Sequence, residues 1–275
     1  MVSRRALVTG ASGTFGTHIV AGLIAAGYET LCVVRDSKKG ELLLSHLRDL
    51  VGPASASGHA RIVECDLSNG KNISDSITAA LALGGGGEAA LDILVNNAAI
   101  TPSTKQLSSG NIEMQWSVNV LGYHRVFHAA LPFLLAATSP RVVFVASNYA
   151  GGLDLNDVGF ENKTYNPHEA YRASKQANRL LGAAWAKRFP QIATYSCHPG
   201  VADSAVARNL GMSFDTSEKN AKAGAVCPLF CALESSSMAP SGTYYHNGKP
   251  VRCEFTADVS SADALWTLLE KMSVN

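Results

Sequence analysis

The sequence predicts an α/β protein built on one doubly wound, open parallel sheet of about seven strands, with helices on both faces, in a single domain spanning 1–275. Three observations predict it. Short apolar runs alternate with longer helical patterns along the chain, the signature of parallel β-α-β units. The apolar runs show little inside-outside alternation, as expected for strands covered on both faces. The residues richest in chemistry follow the strands, at the edge where such sheets bind ligands.

The elements follow in order. Residues 6–10 (ALVTG) read as a first strand, and 15–26 as a helix stopped by Gly27. A second strand, 30–34, leads into an amphipathic stretch over 38–51. Strands are expected at 60–66, 91–97, 141–147, 193–200 and 242–246. Helical patterns separate them at 71–83, 110–136, 170–188 and 216–234, and a last one lies at 261–271. Gly84 to Gly87 reads as a surface loop. The connection 148–169 exceeds a usual strand-to-helix loop and is expected to line or cover the substrate site. No repeat and no linker composition divides the chain.

Composition excludes several classes. Apolar residues make up 47% of the 275, and charged residues only 16%, which argues against disorder. A net charge of +1, without basic runs, leaves no nucleic-acid footprint. No apolar run approaches the roughly 20 residues of a membrane-spanning helix. The N-terminus enters the first strand without room for a signal peptide. The six scattered cysteines read as reduced buried thiols, hence a cytoplasmic protein. On that reading the acceptor patterns at Asn72 and Asn162 are coincidental, and no metal site is expected.

Thr9-Gly10-Ala11-Ser12-Gly13-Thr14-Phe15-Gly16 joins the first strand to the first helix. Glycines there let the backbone turn and approach a pyrophosphate, which the helix N-terminus attracts. The second strand ends in Val34-Arg35-Asp36. An acidic residue at this place holds a ribose 2′-hydroxyl, whereas Arg35, helped by Ser12 and Lys39, suits a 2′-phosphate. NADP(H) is favoured over NAD. Asp66-Leu67 follows the third strand, and its carboxylate suits either an adenine amino group or a turn.

Tyr171 and Lys175 stand at i and i+4 in a strong helical pattern, so they share a face. A phenol with a pKa near 10 needs such a positive neighbour to work as an acid-base group at neutral pH. With 8 Tyr in 275 residues, about 0.3 such pairs arise by chance. A second match, Tyr245 with Lys249, spans the turn signal Asn247-Gly248 and need not share a face. Ser147 ends the fifth strand, Asn96-Asn97-Ala98 ends the fourth, and Asn119 lies in the helix between them. Each alone reads as a cap or local bond-former; together they gather at one end of the sheet.

This constellation, with His198-Pro199-Gly200, resembles the short-chain dehydrogenase/reductase family over nearly the whole chain, with its Rossmann-like fold. The segment before Tyr171, His198-Pro199-Gly200 and Ser241-Gly242-Thr243-Tyr244-Tyr245 look most like the retinol-dehydrogenase and carbonyl-reductase-like branch. The resemblance implies hydride transfer between nicotinamide and a carbonyl carbon, with Tyr171 moving the proton. It implies that Ser147 polarises the carbonyl, that Lys175 lowers the tyrosine pKa and holds the ribose, and that Asn119 holds a proton-relaying water. It implies cofactor contacts from Gly10, Ser12, Phe15, Gly16, Arg35, Asp66, Leu67, Asn97, Ala98, Pro199, Gly200, Val201 and Ser204, to which the loop adds Gly13 and Thr14.

The glycine loop departs from the family pattern. Its middle glycine, Gly13, is shifted one place, with Thr14 where glycine is usual, as in the larger sugar-nucleotide epimerase-like branch. Asn96-Asn97 and the short C-terminal portion argue against that branch. Phe15 replaces a small aliphatic residue. The substrate pocket is expected from 148–169, the loop after Ala99 and 202–215, and its apolar residues suggest a hydrophobic carbonyl or alcohol. A nucleotide-sugar epimerase or dehydratase and a catalytically silent NADP sensor stand as alternatives, and either a monomer or a homodimer is compatible with the chain.

Overall fold

A computed structural model of the protein describes residues 4–83, 89–214, 218–234, 238–256 and 259–273. The glycine run 84–87, Asp215 and the start of the helix expected from 216 lie outside the described residues.

One sheet of eight strands organises the chain, in the order β3-β2-β1-β4-β5-β6-β7-β8. The strands are β1 (Arg5–Thr9), β2 (Glu29–Val34), β3 (Ala60–Glu64), β4 (Ile93–Asn96), β5 (Arg141–Val145), β6 (Ala193–His198), β7 (Tyr244–His246) and β8 (Lys249–Val251). The first seven are parallel, as expected, and β8 pairs antiparallel with β7. The eighth strand was not foreseen. It is three exposed residues containing Pro250, which gives no apolar run to read. The hairpin turns at Asn247 and Gly248, both with positive φ (52° and 69°), the conformation of a tight two-residue turn. The second Tyr-Lys match of the sequence thus spans a hairpin.

Helices cover both faces. On one side lie α1 (Thr14–Ala25), α2 (Ser37–Val51), α3 (Pro53–His59) and α9 (Glu218–Leu233). On the other lie α4 (Gly70–Ala82), α5 (Met114–Trp116), α6 (Gly122–Leu135), α7 (Pro167–Arg188) and α10 (Val259–Ser273). The short α8 (Ala205–Asn209) follows β6. Strand residues divide between two cores with a period of two: Leu7, Leu31, Leu94 and Phe144 join one, and Ala6, Val8, Cys32, Val95 and Val143 the other. Each fully buried side chain of this size is worth about 1.5–3 kcal/mol. All six cysteines are buried free thiols. Among the described residues, no helix is long and apolar enough to cross a membrane.

The helix expected over 110–136 starts later and is not uniform. Leu107 bridges Glu113, and the Glu113 carboxylate caps α5 by accepting from the Gln115 and Trp116 amides at 2.9 and 2.7 Å. A wider π turn, Ser117–Leu121, then joins α5 to α6. Strand order reverses at β1, flanked by β2 and β4, so a crevice opens above the carboxyl ends of these strands.

Candidate active site

A cavity of about 990 Å³ occupies that crevice. Of the residues singled out in the sequence, Gly10, Ser12, Gly13, Thr14, Phe15, Arg35, Asp66, Leu67, Asn97, Ala98, Ser147, Tyr171, Lys175, Pro199, Gly200, Val201 and Ser204 all line it. Gly16 and Asn119 do not reach the wall; both are buried just behind it.

At the glycine loop, Gly10 has φ +62°, and a Cβ there would come closer than 3.0 Å to Ala98. A Cβ on Gly16 would likewise collide with the Gly10 carbonyl. The loop therefore packs backbone on backbone. The N-cap of α1 is Gly13, no side chain caps the helix, and its first turn holds no acid. The first N–H groups and the positive end of the helix dipole are left for an anion. Phe15 packs against Gly224 of α9, where any Cβ would meet its ring. The large residue at this place is thus accommodated by a glycine on the next helix.

The floor is held by a clasp between β1 and β4. The Thr9 hydroxyl oxygen accepts from the Asn97 and Ala98 amides at 2.9 and 3.2 Å. Asn97 Nδ2 donates to the carbonyls of Thr9 and Gly10 at 3.1 and 3.0 Å. The Tyr123 hydroxyl donates to the Ala98 carbonyl at 2.5 Å. Thr9 and Tyr123 shape this corner without having been marked as site residues.

At the end of β2, Arg35 and Lys39 line the cavity while Asp36 does not. Asp36 is instead the N-cap of α2, its carboxylate accepting from the Lys39 amide at 2.9 Å. That bond, with the Arg35 guanidinium behind it, holds the Asp36 carboxyl below its ordinary value. Asp66 closes a turn onto the Ser68 amide at 2.9 Å.

Helix α7 supplies the far wall. Asn166 caps it, accepting from His168 at 2.9 Å and Glu169 at 3.3 Å, and Pro167 fills its first turn. Tyr171 and Lys175 follow on one face, with Lys175 Nζ 5.7 Å from the Tyr171 ring centre. Nζ donates to the Val145 carbonyl at 2.8 Å and to Asn178 Oδ1 at 3.3 Å. Burial pushes the Lys175 ammonium down to about 7. Burial pushes the Tyr171 phenol up to about 12, and the hydrogen bond with Ser147 opposes it. Burial thus drives both groups toward their neutral forms, and the hydrogen bond with Ser147 favours the phenolate.

Asn119 lies in the π turn. Its Oδ1 accepts from the Ile100 amide at 2.9 Å, and its Nδ2 donates to the Ile100 carbonyl at 3.1 Å and to Ser174 Oγ at 3.3 Å. Its carbonyl oxygen accepts from Asn178 Nδ2 at 2.8 Å, linking it to the partner of Lys175. Behind Ser147, Arg179 donates from Nε and Nη2 to the Ser147 carbonyl and at 3.0 Å to the Tyr244 hydroxyl. Tyr244 donates to Asn148 Oδ1 at 2.6 Å, and the Asn148 amide donates to His198 Nδ1 at 3.2 Å. Burial, with His246 and Arg179 nearby, pushes His198 down to about 4. Asn178 and Arg179 extend the i+3, i+4 face of Tyr171 and Lys175, the signal that could have marked them.

Beyond Tyr171 the lining turns apolar, with Met114, Val118, Tyr149, Leu210, Met212 and Phe214. From the long connection only Asn148 and Tyr149 line the cavity among the described residues. Leu153, Leu155 and Val158 pack on the core, and Phe160 stacks edge-on against Tyr165 at 5.3 Å.

Known proteins resemble this chain in sequence and in fold. The family model described as "short chain dehydrogenase" matches residues 4–214. The chain is 29% identical over 249 residues to retinol dehydrogenase 11 of Homo sapiens, covering 87% of this chain and 76% of that protein. A crystal structure of an uncharacterized protein from Mycobacterium paratuberculosis superposes with a TM-score of 0.77 at 26% identity, over 99% of this chain and 94% of the other. A gluconate 5-dehydrogenase from Burkholderia cenocepacia, solved in complex with NADP and tartrate, shares the fold at TM-score 0.64 and 20% identity, over 90% of this chain and 94% of that one.

Proposed function

The chain belongs to the short-chain dehydrogenase family, in its retinol dehydrogenase-like branch, and from that premise we propose that it is an NADP(H)-dependent oxidoreductase acting on a hydrophobic carbonyl or alcohol. The observation that carries the reading is one cavity with two ends. At one end an uncapped helix N-terminus stands beside Arg35 and Lys39; at the other, Ser147, Tyr171 and Lys175 line the same wall.

The residues present fit a dinucleotide phosphate. Gly10 and Gly16 let the loop fold tightly on itself, and the uncapped N-terminus of α1 behind it suits a pyrophosphate. Arg35 and Lys39 suit a 2′-phosphate, and the Asp36 carboxylate, which would repel one, is engaged on the Lys39 amide of α2. Lys175, anchored on the Val145 carbonyl, is placed to hold a ribose. A nicotinamide cofactor supplies or accepts the hydride when bound. The chain contributes the proton: the Tyr171 hydroxyl gives it to the carbonyl oxygen in reduction and takes it back in oxidation. Ser147 Oγ hydrogen-bonds the same oxygen and orients the carbonyl. The apolar lining excludes water and favours a hydrophobic substrate, a reading supported by the likeness to a retinol dehydrogenase.

The test is Tyr171→Phe. NADPH binding, followed by nicotinamide fluorescence, is expected to be unchanged. Turnover with a panel of hydrophobic aldehydes and ketones is expected to fall by about 100-fold or more, the usual worth of a positioned acid. Wild-type turnover in this variant refutes the role given to Tyr171.

A further inference from the structure

Away from the cavity, His124 and His128 stand one turn apart on α6, and Glu270 of α10 reaches between them. His124 Nε2 lies 2.9 Å and His128 Nε2 3.1 Å from the same oxygen, Glu270 Oε1. All three donor atoms lie within 4.8 Å of one another. The two imidazoles meet edge to face at 4.4 Å, and Trp266 of α10 packs edge-on against His124 at 5.0 Å. The His124 side chain is wholly buried, whereas those of His128 and Glu270 are 38% and 47% exposed. Both imidazole Nε2 atoms are closed to solvent, that of His128 without a hydrogen-bond partner among the described residues, and the cluster opens along the Glu270 carboxylate.

Two imidazoles at i and i+4 with one carboxylate from a second element form a three-ligand set for a tetrahedral ion that keeps a fourth position for water. Imidazole selects zinc-type transition ions, whereas calcium and magnesium prefer all-oxygen shells. We propose that His124, His128 and Glu270 bind a divalent transition-metal ion of the zinc type, which ties α10 to α6. None of the three lines the cavity, so the site is separate from hydride transfer. His124 Nδ1 is buried without a hydrogen-bond partner among the described residues. No outer acceptor reinforces that ring, so the affinity falls below that of a fully buttressed zinc site. The buried thiols of Cys197, Cys227 and Cys231 also cluster within 4.8 Å, but all three are closed to solvent.

The test uses the full-length protein, freed of metal with a chelator and titrated with zinc ion alone. Calorimetry is expected to show one saturable site, and thermal unfolding a rise in Tm that the chelator reverses. Cobalt in place of zinc is expected to give the visible absorption of a tetrahedral ion. His128→Ala and Glu270→Gln change partly exposed side chains, and each is expected to weaken binding by at least about 10-fold. His59→Ala, at an exposed histidine elsewhere, is expected to bind as the wild type does. Absence of saturable binding overturns the proposal: Glu270 then only hydrogen-bonds His124 and pairs with His128. Binding that persists in His128→Ala and is lost in Cys227→Ser also overturns it, placing the ion at the thiols.

Discussion

In the function proposed above, Arg35 is the residue on which cofactor choice turns. Its side chain is 66% exposed and touches Asp36 only at 3.3 Å, so the guanidinium remains open to a phosphate. A hydrogen bond to a charged group is worth about 1.5–3 kcal/mol, or roughly 10- to 100-fold in affinity. Arg35→Ala is expected to weaken NADPH by that factor and to leave NADH nearly unchanged, measured by parallel fluorescence titrations. Equal losses for both cofactors contradict the assignment. At this scale the sequence made placement legible wherever it is local: Tyr171 and Lys175 share a helix face, and Arg35 stands at a strand end on the cavity wall. It was silent on partners brought from afar. Nothing local announces that Lys175 bonds the Val145 carbonyl, that Thr9 clasps Asn97, or that Arg179 holds the Ser147 carbonyl. The same holds for the burial that raises the Tyr171 phenol, which is set by how α7 packs on the sheet.

Between elements, the packing of α1 on α9 governs the mouth of the glycine loop. Phe15 both lines the cavity and fills the space left by Gly224. Gly224→Ala places a methyl group inside the Phe15 ring, and the ring's open side is the cavity. The variant is expected to weaken NADPH binding, and the double variant Gly224→Ala with Phe15→Leu to recover it, a non-additivity that a cycle of titrations measures. Losses that simply add rule out this coupling. The alternation of strands and helices was legible because a sheet covered on both faces needs continuous apolar strands. The elements that escaped lack such a pattern. Helix α3 is made of small residues, PASASGH, with no apolar period, and its start is set by Gly52 and Pro53. The π turn around Asn119 follows an ordinary apolar stretch, and only the pull of Ile100 and Asn178 on Asn119 marks where the helix widens.

The folded molecule carries a pH signature from its site. Lys175 titrates near 7 when folded and 10.5 when exposed, so between those values the unfolded chain binds more protons and stability rises with pH. Tyr171 works oppositely: its folded value of about 12 lies above 10, so stability falls as pH rises through that window. Urea midpoints of the cofactor-free protein are expected to climb from pH 7 to about 8, below the range where the buried thiols of Cys32, Cys65 and Cys197, raised by burial, oppose the climb, and Lys175→Met to flatten it; an equal slope in both proteins excludes Lys175 as its source. The sheet also ends in a particular way. In β8, Pro250 stands opposite Tyr245, at a position whose amide would point away from β7, and proline has none to offer. Lys249 adds a charge on the same rim, and the whole strand is exposed. A sheet with a bare outer strand is a template on which further chains can crystallise into fibrils. Here the β8 edge is blunted along all three of its residues, so strand-to-strand growth from this side of the sheet is disfavoured and the opposite edge, β3, is left as the side where another chain could pair.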